Sequence, residues 1–100
     1  MHVISVALEQ SSLAFGQFNV SVDDDKYIRH DNGPATMLMP QGPPLTVRVG
    51  HDNPNGTARI HGRTPLRLYF QAHYTRGDTV YIRVHAPDRL ELLPTPPRAE

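Results

Sequence analysis

Proline is the residue that most limits what this chain can become. Ten prolines and seven glycines fall within 100 residues. Each proline removes a backbone donor and breaks the interior of a helix or a central strand. The result is a chain of short segments, which favours a β-rich fold over a helical bundle. At this length one small domain is expected. The expected boundary is 1–93, with 94–100 (Leu-Pro-Thr-Pro-Pro-Arg-Ala-Glu from Leu93 onward) as a proline-rich tail or linker.

Between the breaks, alternation of apolar and polar residues identifies strands. Residues 3–8 form the first. Phe15 to Val22 form a second, with Phe18, Val20 and Val22 on one face, and the two are expected to pair as a hairpin through a polar turn at Glu9–Ser12. Asp23-Asp24-Asp25 ends it as a solvated acidic turn. Thr36–Met39, Leu45–Val49, Ala58–His61, Thr79–His85 and Arg89–Leu93 complete a set of about seven short strands. The densest turn signal is Gly50-His51-Asp52-Asn53-Pro54-Asn55-Gly56. One segment has helix chemistry. Thr64 is a natural N-cap, Pro65 suits the first helical position, and Leu66, Tyr69, Phe70 and His73 share one face. Gly77 punctuates its end. The expected fold is mainly β: a seven-stranded open barrel with one or two short helices.

Composition narrows the chemistry. With no cysteine, disulfides, thiolate metal sites and cysteine nucleophiles are excluded. That absence fits a reducing compartment, and the cytoplasm is the expected location. No apolar run approaches the roughly 18 residues of a membrane span, so no membrane association is expected. Net charge is zero, but its sign is unevenly placed. Glu9, Asp23, Asp24, Asp25 and Asp31 outweigh Lys26 and Arg29 before residue 45. Arg48, Arg59, Arg63, Arg67, Arg76 and Arg83 outweigh Asp52 and Asp78 after it. Lys26 is the single lysine. Arginine suits bidentate recognition of phosphate and guanine, although a coding bias toward Arg, Pro and Ala yields the same excess.

The run Arg59-Ile60-His61-Gly62-Arg63-Thr64-Pro65-Leu66-Arg67-Leu68-Tyr69-Phe70, followed by Gly77-Asp78-Thr79-Val80, resembles the DNA-binding pseudobarrel superfamily. That group includes the plant B-three domains and the N-terminal effector domains of EcoRII-type restriction endonucleases. The motif-bearing resemblance covers residues 57–92. Residues 1–50 agree in length and order of elements only. It implies a module that grips the major groove of double-stranded DNA with two arms, the nuclease (where one exists) being a fused or associated domain. Carried over by order of elements, the first arm is Glu9, Gln10, Ser11 and Ser12, of which Gln10, Ser11 and Ser12 are the candidate contacts. The second holds His51, Asp52, Asn53, Asn55 and Thr57, flanked by Arg48 and Arg59, with Arg63 nearby. Independently of the resemblance, Gln10, Asn53, Asn55, Arg48 and Arg59 are residue types that read base edges. Ser11, Ser12, Thr57 and His51 suit phosphate oxygens. The first arm lacks any Lys or Arg.

Other constellations carry less. Asp24-x-Lys26 matches half of a nuclease metal site, but Glu9 is the only acid before Asp23. His51, His61, His73 and His85 lack close metal-ligand spacing and read as scattered surface or rim histidines. No nucleophile-elbow motif accompanies the serines. Met37, Leu38 and Met39 suit core packing better than a groove. No catalysis and no cofactor are expected. The rival expectation is a small β-barrel that binds a partner protein or its own copy, marked by a contiguous exposed apolar patch.

Overall fold

A computed structural model describes residues 2–95. Seven strands form one sheet: β1 (His2–Ala7), β2 (Gln17–Asn19), β3 (Gly33–Leu38), β4 (Leu45–Gly50), β5 (Arg59–His61), β6 (Thr79–Ala86) and β7 (Arg89–Leu93). Their spatial order is β1-β6-β7-β3-β4-β5-β2, and the sheet curls into a nearly closed barrel. All pairs are antiparallel except β3 with β7. Two α-helices, α1 (Gln10–Phe15) and α2 (Arg63–His73), and a 3-10 turn at Asp25–Tyr27 complete the fold. The mainly β, seven-stranded open barrel expected from the sequence is the architecture observed. Pro94 and Thr95 are exposed beyond β7, and residues 96–100 of the expected tail lie outside the described residues.

Alternation places the core. Ile4 and Val6 of β1, Val47 and Val49 of β4, Val80, Ile82 and Val84 of β6 and Leu90 and Leu92 of β7 point inward and are buried. Met37 is fully buried and Met39, half-buried, packs against the core, so both methionines serve packing; Leu38 between them is half-buried. Leu66 and Phe70 of α2 join them, with Phe70 edge-on to Phe18 at 6.5 Å between ring centroids.

The expected β1–β2 hairpin does not form. β1 pairs with β6 and β2 with β5. Residues between them fold instead as α1. Leu8 leaves β1 through bonds to the far end of the chain, donating to the Asp78 carbonyl at 2.8 Å and accepting from Gly77 N–H at 2.9 Å. The second strand is correspondingly short. Phe15 belongs to α1 and is 66% exposed, and Val22 is 67% exposed. The helix ends at Gly16, which sits at φ 67° in the left-handed region and returns its N–H to Ser12 at 2.9 Å. Its carbonyl accepts the Gly62 N–H at 2.8 Å, locking α1 to the start of α2.

α2 begins two residues earlier than the sequence suggests, at Arg63 and not at Pro65. Gly62 is its N-cap, and no side chain caps it, so Thr64 does not play the expected role. Arg63 stands at φ 57°, the only non-glycine residue with positive φ among the described residues. His73, expected on the buried face, is exposed and rests obliquely against Tyr69 at 4.3 Å between ring centroids. A helix of eleven residues needs only two inward turns to cover this end of the barrel.

The acidic stretch is pinned, not merely solvated. Asp24 accepts from Ser21 and pairs with His2 at 2.8 Å, and Asp25 accepts the Ala58 N–H at 2.7 Å. At the other corner, the Asp78 carboxylate accepts the Thr75 N–H at 2.8 Å, closing the turn into β6. Asp78→Ala should therefore lower stability by about 1 kcal/mol, read by chemical denaturation, and leave ligand affinity of the folded fraction unchanged.

Candidate nucleic-acid interface

The two sheet edges, β1 and β2, face each other without pairing. Between them lies a cleft of about 520 Å³. The start of α1 supplies Glu9 and Ser12 to its wall, and the β4–β5 loop supplies Asn53, Pro54, Asn55 and Thr57. Residues from both expected arms therefore line one cleft. Its wall carries no Lys or Arg, so it offers neutral hydrogen-bonding groups beside one carboxylate.

The first arm is not the open polar loop expected. Gln10, Ser11 and Ser12 form the first turn of α1. Ser12 is 3% exposed and its Oγ accepts the Glu9 N–H at 3.2 Å, so it serves the helix start and is not free for phosphate. Gln10 is exposed and Ser11 half-buried.

The second arm is rigid because its own side chains are spent on it. Asn53 donates through Nδ2 to the Thr57 carbonyl at 3.1 Å and the Ala58 carbonyl at 3.3 Å, and its Oδ1 accepts from Arg59 at 2.7 Å. Asn55 Oδ1 accepts from both the N–H and the hydroxyl of Thr57, which is buried. Arg59 also reaches Asn19 at 2.9 Å and Asp52 at 3.3 Å. His51 is tied through its N–H and ring to Asn32 Oδ1. Asn32 is held in turn by a turn in which Arg29 grips Asp31 with two bonds, at 2.9 and 2.8 Å. That hydrogen-bonded guanidinium keeps the Asp31 carboxyl below the usual carboxylate range.

Arg59, Asn53 and Thr57, expected as DNA-reading groups, are thus positioning residues. Asn53 cannot offer adenine a donor and an acceptor without releasing the loop. Asn53→Ala should cost about 1–2 kcal/mol in chemical denaturation, since it leaves Arg59 and a buried turn short of partners.

Arg48 and Arg63 are different. Among the described residues the side chain of neither has a hydrogen bond or ion pair with the protein, and both are exposed. They flank a shallow concavity of about 320 Å³ on the outer face of the β4–β5 pair, with His61, Pro34 and Thr46 as the other walls. Arg48 lies directly across from His61 in the sheet register. His61 was not among the expected site residues. Counting outward positions back from the Asp-Asn-Pro-Asn-Gly turn along both strands pairs it with Arg48. Gln17 of β2 faces His61 on its other side.

Among the described residues no three His, Asp or Glu side chains come together to hold a metal ion. No helix among them is long and apolar enough to cross a membrane. No protein-family model, curated protein or solved structure matches the chain.

Proposed function

We propose that this chain is a non-catalytic module that binds double-stranded DNA, presenting the β4–β5 loop to the major groove. The observation that carries the reading is the pair of unpaired guanidinium groups, Arg48 and Arg63, at the base of a loop braced from within. A guanidinium without a protein acceptor is available to phosphate or to guanine. The resemblance to DNA-binding pseudobarrels favours duplex DNA as the source of those acceptors. Asn55, whose amide nitrogen is not used within the loop, and Gln10 are the candidates for base edges. Where such a module serves a restriction-type enzyme, cleavage would belong to a fused or associated nuclease domain.

With zero net charge, binding rests on few phosphate contacts. Each contact contributes about 0.9 to the slope of log affinity against log salt, so a slope of roughly 2–3 is expected. A fluorescence titration of labelled duplexes at two salt concentrations tests this. Salt-independent binding, or none to any duplex, would transfer the function to the protein-interaction reading.

A further inference from the structure

His61 sits where a phosphate held by Arg48 and Arg63 would meet it. We propose that Arg48, His61 and Arg63 form one phosphodiester clamp on the outer face of β4–β5, and that the clamp tightens when His61 takes up a proton. The inference rests on the DNA-binding reading and adds to it a phosphate contact and its regulation.

The side chains converge from three places. Arg48 stands on β4 opposite His61 on β5, and Arg63 follows two residues later at the entry to α2. All three line the same concavity. Arg63 reaches it from a left-handed backbone that an arginine adopts only at a cost. That cost is not offset by any bond from its side chain to the described protein, which is the pattern expected where a side chain is kept for a ligand.

The charged and titratable neighbours of His61 come from every element around it. Arg48 is on β4, Arg63 on α2, and Arg59 two positions back on β5. Asp52 and His51 come from the β4–β5 loop, and uncharged Gln17 comes from β2. Asp52 Oδ1 lies 3.8 Å from His61 Nε2, its other oxygen being held by Arg59. Gly50 leaves room for this approach: a Cβ there would stand 3.1 Å from Asp52 Oδ1 and 3.7 Å from His61 Nε2. Among the described residues Asp52 is the one acid beside the imidazole. A bound phosphate brings a second negative charge to the opposite side of the ring. Binding must then draw a proton onto His61, and by reciprocity the proton must strengthen binding. Histidine is the side chain whose charge ordinarily changes between about pH 5 and 8.

The test uses the full chain and a labelled 20-base-pair duplex at constant ionic strength. Between about pH 8 and about pH 5.5 the wild type should gain roughly 5- to 10-fold in affinity, and its salt slope should rise by about 0.9, one phosphate contact. His61→Gln keeps a donor of similar reach without the charge. It should bind as the wild type does at high pH and show neither gain. Asp52→Asn removes the competing carboxylate and should tighten binding at high pH. His85→Gln, on the β6–β7 face where His85 pairs with Glu91 at 2.8 Å, should leave the pH profile unchanged. If His61→Gln retains the pH dependence, the clamp is wrong while the DNA reading stands. If the wild type binds no duplex at any pH, both fall.

Discussion

Gly16→Ala is expected to destabilise the protein by about 3 kcal/mol or more, the sum of two independent penalties. The first is conformational. At φ 67° the residue occupies the left-handed region, which costs an alanine about 1–2 kcal/mol. The second is steric. A Cβ at Gly16 would lie 2.3 Å from the Arg63 carbonyl oxygen and 2.7 Å from the Arg67 nitrogen. Both are backbone atoms of α2, so neither can swing aside. Relief requires α1 to back away from α2, breaking the Gly62-to-Gly16 hydrogen bond, and overpacking of this kind adds about 1–3 kcal/mol. Equilibrium denaturation reads the loss. A variant as stable as the wild type would mean that the two helices do not dock through this glycine. Because α1 also forms one wall of the cleft, the variant should lose ordered structure there before it unfolds globally.

The second large effect is on binding. Arg48→Ala and Arg63→Gly should each weaken duplex affinity by roughly 5- to 10-fold and lower the salt slope by about 0.9. The double variant should fall short of the product of the two, because the side chains share one concavity. Arg63→Gly makes a sharper prediction than alanine. Glycine is at home at φ 57°, and removing the strain should raise stability by up to about 1 kcal/mol, part of it offset by the greater freedom of glycine in the unfolded chain. Stability and affinity should therefore move in opposite directions. A variant that loses both would assign Arg63 to packing. Arg59→Ala should behave otherwise again, losing stability first, because its three bonds brace the loop.

The parts of this fold visible in the sequence are those that depend on near neighbours. β4, β6 and β7 carry clean alternation and end at Pro or Gly, so their extents and inward faces are plain. The Gly50–Gly56 turn is a turn for the same reason. The β1–β2 hairpin fails because nothing local distinguishes it from the pairing that occurs. Ile4 faces Ile82 and Phe18 faces Ile60, and only tertiary closure decides between these partners. α1 is hidden because Gln10-Ser11-Ser12 reads as turn chemistry, and its stop signal, Gly16, falls inside the alternating run from Phe15 to Val22. At the site, Arg48 and Arg63 are recognisable from residue type and position. The internal use of Asn53 and Arg59 is not, since Arg59 finds Asn19 forty positions away. His61 was passed over as one of several scattered histidines. Its significance comes from strand register, which pairs it with Arg48.

The crossed pairing has a kinetic side. β1 waits for β6, and β3 waits for β7, its only parallel neighbour. On a ribosome, the first half of this chain therefore emerges with β1 unpaired and β3 paired on one edge only, through β4. Only the β3–β4–β5–β2 portion can assemble early. High sequence separation between partners slows closure, and bare strand edges invite pairing with other chains while they wait. Synthesis of the β6–β7 hairpin supplies both missing partners at once, one on each side. That hairpin is the keystone of maturation: until it docks, β1 cannot take its place at the cleft, and the wall that α1 contributes is held from the α2 side alone.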